Sequence, residues 1–272
     1  MPCWQSAHSP LGDEDVVMNE FGVVGVLAAA ALATSVLSAI VGMAGGITLL
    51  AVMLLFLEPL TAIPLHGAVQ LVSNSSRAVI QRRHLRWDIV ALYALPLLPL
   101  GFAGLALARE LPPDATKGAI GIFVLLATWA PGALLLGTHP EDTTPTRRFL
   151  ALGSVCGVLN VAIGATGPLI APFFLNLGLT RFALIGTKAA CQSLGHLAKI
   201  VIFGIAGFVF SEYLGLLAIL CALVVVGTWL GSRLLDHVDE RSFTLLYKGV
   251  LTLIAARLVL EPLADLWSGS PQ

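Results

Sequence analysis

The sequence predicts an all-α polytopic membrane protein with two inverted-topology repeats, each a glycine-broken helical hairpin followed by three spanning helices. Three observations predict it. The chain is 57% hydrophobic and only 11% charged, where soluble domains carry about 25% charged residues. Its apolar runs and glycine breaks fall in the same order twice. Its Lys and Arg residues mark opposite ends of equivalent helices in the two halves.

Over 272 residues the mean hydropathy is +0.90. That much apolar surface exceeds what one soluble core can bury, and a bilayer is the solvent that accommodates it. A spanning helix needs about 20 mostly apolar residues, and several such runs fit. The net charge of -1 leaves no basic surface for nucleic acid. Cys3, Cys156, Cys191 and Cys221 show no CxxC spacing and no disulfide framework. They read as small packing residues. No metal-ligand spacing is evident, and no cofactor is expected. Residues 1–20 contain no Lys or Arg but carry Asp13, Glu14, Asp15 and Glu20. A secretory signal needs a positive start, so this stretch reads as an extramembrane segment.

The first repeat covers 21–136. An apolar run at 21–41 meets Gly42-Met43-Ala44-Gly45-Gly46, and a run at 47–57 is too short to span. Glu58-Pro59 ends it. A third helix is expected over 61–83, then long runs at 89–108 and 115–136. A polar cytoplasmic linker at 137–148 contains His139, Glu141, Asp142 and Pro145. The second repeat, 149–265, begins with a run at 149–163, broken by Gly164-Ala165-Thr166-Gly167-Pro168. A short piece at 169–177 follows, then a third helix over 180–203 and long runs at 213–235 and 243–259, with a tail at 266–272. A shift of 122 residues carries Gly42 onto Gly164 and Gly45 onto Gly167. It also carries His66 onto Lys188, Gln70 onto Gln192, Asn74 onto His196 and Arg77 onto Lys199. A shift of 119 instead pairs Leu60-Thr61 with Leu179-Thr180 and Gly67 with Gly186, and both registers stay open. Internal repeats of this kind mark transporters.

Lys and Arg in short loops mark the cytoplasmic side. Arg82, Arg83 and Arg86 follow the third helix of the first half, Arg147 and Arg148 close the linker, and Arg233 and Arg241 flank the last loop. The stretch 204–212, after the third helix of the second half, has none. The third helices therefore end on opposite sides and the repeats are inverted. The two hairpins, 21–57 and 149–177, enter from opposite faces, and both termini lie outside. Arg109 and Lys117 dissent on an outer loop, accompanied by Glu110 and Asp114. A parallel four-plus-four arrangement is the alternative.

The chemistry concentrates on the third helices. His66, Gln70, Ser73, Asn74 and Arg77 recur at helical spacing and share a face, as do Lys188, Gln192, His196 and Lys199. An ionisable residue inside a membrane is disfavoured by about 2.5–3.5 kcal/mol on insertion scales, so it persists where it faces the bundle interior or water. Lys188, well inside its helix, reads as functional. Arg77, near a cytoplasmic end, reads equally as a snorkelling side chain. His66 and His196 are candidates both for proton transfer and for buried neutral hydrogen bonding.

Each glycine break frees backbone groups that lipid cannot satisfy. The short helix behind it offers N–H groups and partial positive charge. Opposed across the midplane, two such ends form an anion site, with glycine permitting close approach. The candidate binding residues are Gly42, Ala44, Gly45, Gly46, Gly164, Thr166, Gly167 and Pro168 with the two helix faces. Close helix packing is the competing reading of the glycines. No Asp or Glu sits mid-run, so the intramembrane charge is positive and favours an anion.

These features resemble the TauE/SafE sulfite-exporter family, also called the sulfonate and sulfite permease family. The resemblance runs from about Phe21 to Val259. It rests on Gly42-Met43-Ala44-Gly45-Gly46 with the polar helix His66–Arg77 and Arg82-Arg83-His84, and on Gly164–Pro168 followed by Gly186-Thr187-Lys188 through His196 to Lys199. The small-residue helices at Gly101–Gly104 and Gly227–Gly231 are similar too. The resemblance implies a multi-pass transporter of the bacterial inner membrane, not an enzyme, handling sulfite, sulfonates or related anions. Its partners would be a small anion and lipid, with a homodimer left open. A passive anion channel is a second reading. A membrane-embedded sulfur or acyl transferase is a third, with Cys156 and Cys191 as its thiol candidates.

The charge asymmetry makes a testable statement about topology. Single cysteines placed in the Arg82–Arg86 and Arg233–Arg241 loops should label from the cytoplasmic side and those in 204–212 from outside. Labelling of the 82–86 and 204–212 loops from one side overturns the inverted arrangement.

Overall fold

The fold is all-helical among the described residues of the computed structural model, which are 13–41, 45–135, 139, 142–174, 177–234, 248–249 and 251–261. Gly42 and Ala44, linker residues 137, 138, 140 and 141, Arg241, residues 1–12 and the tail 266–272 lie outside them, whereas 13–20, expected as extramembrane, form the first turns of the opening helix.

The first hairpin is α1 (Asp13–Val41) and the short α2 (Gly45–Met53). The third helix is α3 (Pro59–Ile80), followed by a 3-10 turn at Arg82–His84. Next come α4 (Trp87–Ala94), α5 (Leu97–Glu110) and α6 (Pro113–Trp129), with a 3-10 turn at Pro131–Leu135. The second half contains α7 (Pro145–Ala162), the single turn α8 (Gly167–Ile170) with a 3-10 turn at Ala171–Phe174, α9 (Arg181–Ile205) and α10 (Leu214–Leu234). Residues 251–261 form a last helix, α11.

Proline starts several of these helices. Pro59, Pro113 and Pro145 occupy first-turn positions of α3, α6 and α7, where a missing N–H loses no intrahelical bond. Thr180 caps α9, its Oγ1 accepting from the Ala183 N–H at 3.3 Å. The run expected as one helix over 89–108 is instead α4 and α5, bent by 41° where Leu95 and Pro96 join them. Pro96 has no N–H to continue the ladder. Two of the described helices are long and apolar enough to cross a membrane, α1 and the segment containing α10, or three with the α4–α5 pair counted as one. The third helices α3 and α9 are long enough, but their polar faces interrupt the apolar pattern.

The helices pair in a regular way. At the centre α3 and α9 run antiparallel: His66 sits beside His196, Gly67 under the Lys199 stem, and Gly186 against Gln81. Helices α1 and α10 run parallel, Gly227 meeting Leu32 and Ser35, and Gly231 meeting Val36 and Ala39. So do α7 and the α4–α5 pair, with Gly153 on Tyr93, Gly157 on Leu97 and Gly101 on Val161. Finally, α6 and α11 run antiparallel, Gly121 lying on Ala255 and Val259 while the Trp129 indole N–H donates to Thr252 Oγ1 at 2.8 Å. Gly227 and Gly101, expected as packing glycines, stand at two of these contacts.

Two apolar clusters result. One joins α1, α2, α3, α6, α10 and α11 around Leu50, Ile63, Leu65, Leu220 and Leu251. The other joins α4, α7, α8 and α9 around Tyr93, Phe149, Leu152, Ile170 and Cys191. Cys156 and Cys191 are fully buried in the second, in the packing role expected of them. Large apolar residues face outward, Ile80 and Leu253 among them, as lipid contact requires. The dissenting cations are both partnered at one end of the bundle. Lys117 pairs with Glu58 at 3.0 Å, and Arg109 donates to the Ala206 carbonyl at 2.9 Å, at the end of α9. At the other end the Arg86 N–H donates to Thr187 Oγ1 at 3.1 Å.

A β-carbon at Gly153 would run into the Tyr93 carbonyl oxygen, whereas at Gly118 it would meet nothing. Gly153→Ala should therefore destabilise the protein by about 1–3 kcal/mol, as overpacking does. Gly118→Ala, in the middle of α6, should be neutral or stabilising by up to about 1 kcal/mol. Thermal melting in detergent tests the contrast, and equal melting of the two variants refutes this packing scheme.

Candidate functional site

The polar face of α3 turns inward. His66, Gln70, Ser73 and Asn74 are all buried. Asn74 is held along its own helix, its amide donating to the Gln70 carbonyl at 2.9 Å. Its Oδ1 accepts from Arg77 Nη2 at 3.0 Å, and Ser73 Oγ accepts from the same nitrogen at 3.3 Å. Arg77 is therefore folded back along α3 instead of reaching out to the interface. On α9, His196 and Lys199 are buried and Gln192 is half-buried.

These faces meet both glycine breaks. His66 Nε2 lies 2.8 Å from the Gly46 carbonyl oxygen, at the first turn of α2. Lys199 Nζ donates to the Gly164 carbonyl at 2.6 Å. Gly164 needs to be glycine: its φ is +89°, and a β-carbon would press on Leu50 and Ile63. Each third helix thus clamps the break of its own half. The Lys199 stem also lies over Gly67 of α3, where a β-carbon would approach its Cδ to 2.9 Å, so it clamps the two third helices together as well. The His66 and His196 rings meet edge-on, centroids 5.7 Å apart.

A small polar cavity lies between these groups. Ser38 of α1, Gly46 and Ile47 of α2, and His66, Gln70, Asn74 and Arg77 of α3 form one side. Ala165, Thr166 and Gly167 of the second break, with Gln192 and His196 of α9, form the other. No Asp or Glu occurs in α2, α3, α7, α8, α9 or α10, so the charge around it is cationic. Its volume is about 30 Å³, the space of one water molecule. A larger cavity of about 600 Å³ opens at the start of α7 between Leu134, Arg147, Arg148, Val155 and Phe173. It is walled mainly by apolar side chains and contains neither break, so the small polar cavity is the better candidate.

The family model for the sulfite exporter TauE/SafE matches residues 27–258. The chain belongs to this family. No curated protein matches it, and no solved structure does. The protein is accordingly a multi-pass membrane transporter of a family that handles small anions.

This TauE/SafE member distributes its candidate residues unequally. Gly46, His66, Gln70, Asn74, Arg77, Thr166, Gly167, Gln192 and His196 share the cavity wall. Gly164 and Lys199 brace it from behind. Lys188, expected as the principal cation, is half-buried and off the wall, where the Arg77 charge acts on it. Pro168 is also off the wall. Gly45, read as the glycine approached by an anion, packs instead on α1, where a β-carbon would collide with the Thr34 carbonyl. Gly46 takes the place on the wall, with the Gln70 amide over it at 3.2 Å from a β-carbon position. Ser38 was missed. Thr34 and Ser38, four residues apart in an apolar run just before the break, were the signal that could have found it.

Gly45→Ala should thus lower stability by about 1–3 kcal/mol with or without any anion, since backbone cannot yield. Gly46→Ala, facing only a side-chain amide, should stay within about 1 kcal/mol of wild type. Melting curves in anion-free detergent check this, and a Gly46→Ala loss as large as that of Gly45→Ala contradicts it.

Proposed function

We propose that this protein is a secondary transporter, working as an exporter, for a small sulfur-containing oxyanion such as sulfite or an organosulfonate. The anion would sit near the midplane, between the first turns of α2 and α8 and the polar faces of α3 and α9. The observation that carries the reading is the convergence of two break segments and two helix faces, from distant parts of the chain, on one polar cavity with cationic surroundings.

The two breaks would contribute differently. Helix α2 has nine residues and can present both N–H groups and partial positive charge. The four-residue α8 is too short for much macrodipole and would act through its first-turn N–H groups. Arg77 supplies the full charge on the wall, with Lys188 and Lys199 behind.

The antiparallel α3–α9 pair supports reading the halves, 21–136 and 149–265, as inverted repeats joined by a cytoplasmic linker. So does the matched pairing of α1 with α10 and of α7 with α4–α5. In this arrangement both termini lie outside a bacterial inner membrane. A cavity with room for one water is too small for a three-oxygen anion, so its walls must part to load and release. That favours a carrier with alternating access over a standing pore. The transferase reading is weaker, because Cys156 and Cys191 lie within the apolar packing and not on the cavity wall.

Flux into proteoliposomes tests the site. Arg77→Met should reduce sulfite flux at least about tenfold, equivalent to about 1.4 kcal/mol, while the protein still inserts. Lys188→Met, one layer back, should reduce it less. Wild-type flux in Arg77→Met would remove the cationic wall from the mechanism.

A further inference from the structure

The two histidines carry a consequence beyond anion binding. A carbonyl oxygen can only accept, so His66 Nε2, at 2.8 Å from the Gly46 oxygen, must be the protonated nitrogen. The lone pair of a neutral His66 is then on Nδ1. That atom is buried and has no hydrogen-bond partner among the described residues, and the same holds for His196 Nδ1. Both side chains are more than nine-tenths buried and line the polar cavity. The structure therefore holds two unpartnered imidazole nitrogens, on rings in edge-on contact, at the place where the anion would sit.

The charged groups facing the pair are Arg77 on α3 and Lys199 on α9, with Lys188 of α9 further back beside Arg77. Lys199 acts on both imidazoles, and Arg77 acts on His196. Packed behind are Tyr93 of α4, Cys156 of α7 and Cys191 of α9. Helices α2 and α8 bring no titratable side chain, and Arg109 and Arg233 lie exposed at helix ends. Among the described residues lining the cavity there is no carboxylate to hold a proton on either histidine. A bound anion would be the missing counter-charge. Each occupant then favours the other, and linkage makes the effect reciprocal.

We infer that the His66–His196 pair takes up a proton together with the anion, so that the protein binds and carries the two as a unit. This rests on the anion-site reading above. The step is a simple protonation: a solvent proton adds to an imidazole Nδ1 lone pair as the anion enters, and leaves on release.

The test is the affinity of detergent-solubilised wild-type protein for methanesulfonate and for sulfite, from about pH 5.5 to about pH 8.5. Methanesulfonate stays fully ionised throughout, so any pH dependence belongs to the protein. The protonated pair binds the anion more tightly, so Kd should rise with pH, approaching roughly tenfold per unit above the midpoint. Proton uptake on binding, read by calorimetry in buffers of different ionisation enthalpy, should approach one per methanesulfonate. His66→Gln retains an amide donor for Gly46 but lacks the base, and His196→Gln is the companion variant. At least one of the two should bind with a flattened pH profile and reduced uptake. A flat wild-type profile overturns the proton coupling while leaving the anion site intact. Undiminished coupling in both variants overturns it in favour of a lysine. Complete loss of binding in both at every pH also contradicts it, because Arg77 and the helix ends remain in place. If neither anion binds wild type, the anion-site reading itself falls, and the coupling with it.

Discussion

At the centre of this protein a lysine is fully buried, with no carboxylate in α3, α7, α8 or its own helix α9. Lys199 directs its ammonium to the Gly164 carbonyl at 2.6 Å and lays its stem over Gly67. Inside a bilayer a backbone break is tolerable only where its freed groups find partners in the protein. Lys199 meets that requirement for the second hairpin, and in doing so fixes α9 against both the break and α3. The glycine at 67, the left-handed backbone at 164 and the antiparallel α3–α9 crossing are all conditions for that one contact.

The rest of the bundle forms around this pair through small residues. Lipid offers no hydrophobic drive for helices to associate, so close backbone approach is what holds them. Gly104 of α5, Gly153 and Gly157 of α7, and Gly227 and Gly231 of α10 provide it, against backbone or short side chains of the neighbouring helix. The outer helices present large apolar side chains to lipid and leave the polar faces of α3 and α9 inside. Because the centre is tight, the cavity at the breaks is small. Under the proposed function, loading an anion and moving the two halves relative to one another would then be the same event. A cationic cavity would also couple that event to whatever supplies opposite charge, which is the physical link the proposed proton coupling draws between the arginine wall and the unpartnered imidazoles.

Much of this was legible in the sequence. Composition alone implies lipid. The repetition of a glycine break, a short helix and a polar helix gives the order of elements, and the helical spacing of His66, Gln70, Asn74 and Arg77 places them on one face. Nine of the candidate binding residues share one cavity wall because the same physics, the exclusion of polar groups from lipid, wrote the pattern and drives the convergence. Pro96 was the visible reason for a bend inside 89–108, but apolar run length hid it.

What the sequence by itself determined, then, is periodic and compositional: an all-helical membrane chain, its repeated order, and which faces are polar. What only the tertiary structure decided is which polar group meets which. Spacing along a helix fixes the direction of a side chain but not its partner across the bundle. So Lys199 rather than Lys188 braces a break, Arg77 folds back onto the wall, and Gly45 and Gly46, adjacent in sequence, serve packing and cavity in turn. Neighbouring residues of a helix point about 100° apart, and only the positions of α1 and α3 determine which of the two faces the site.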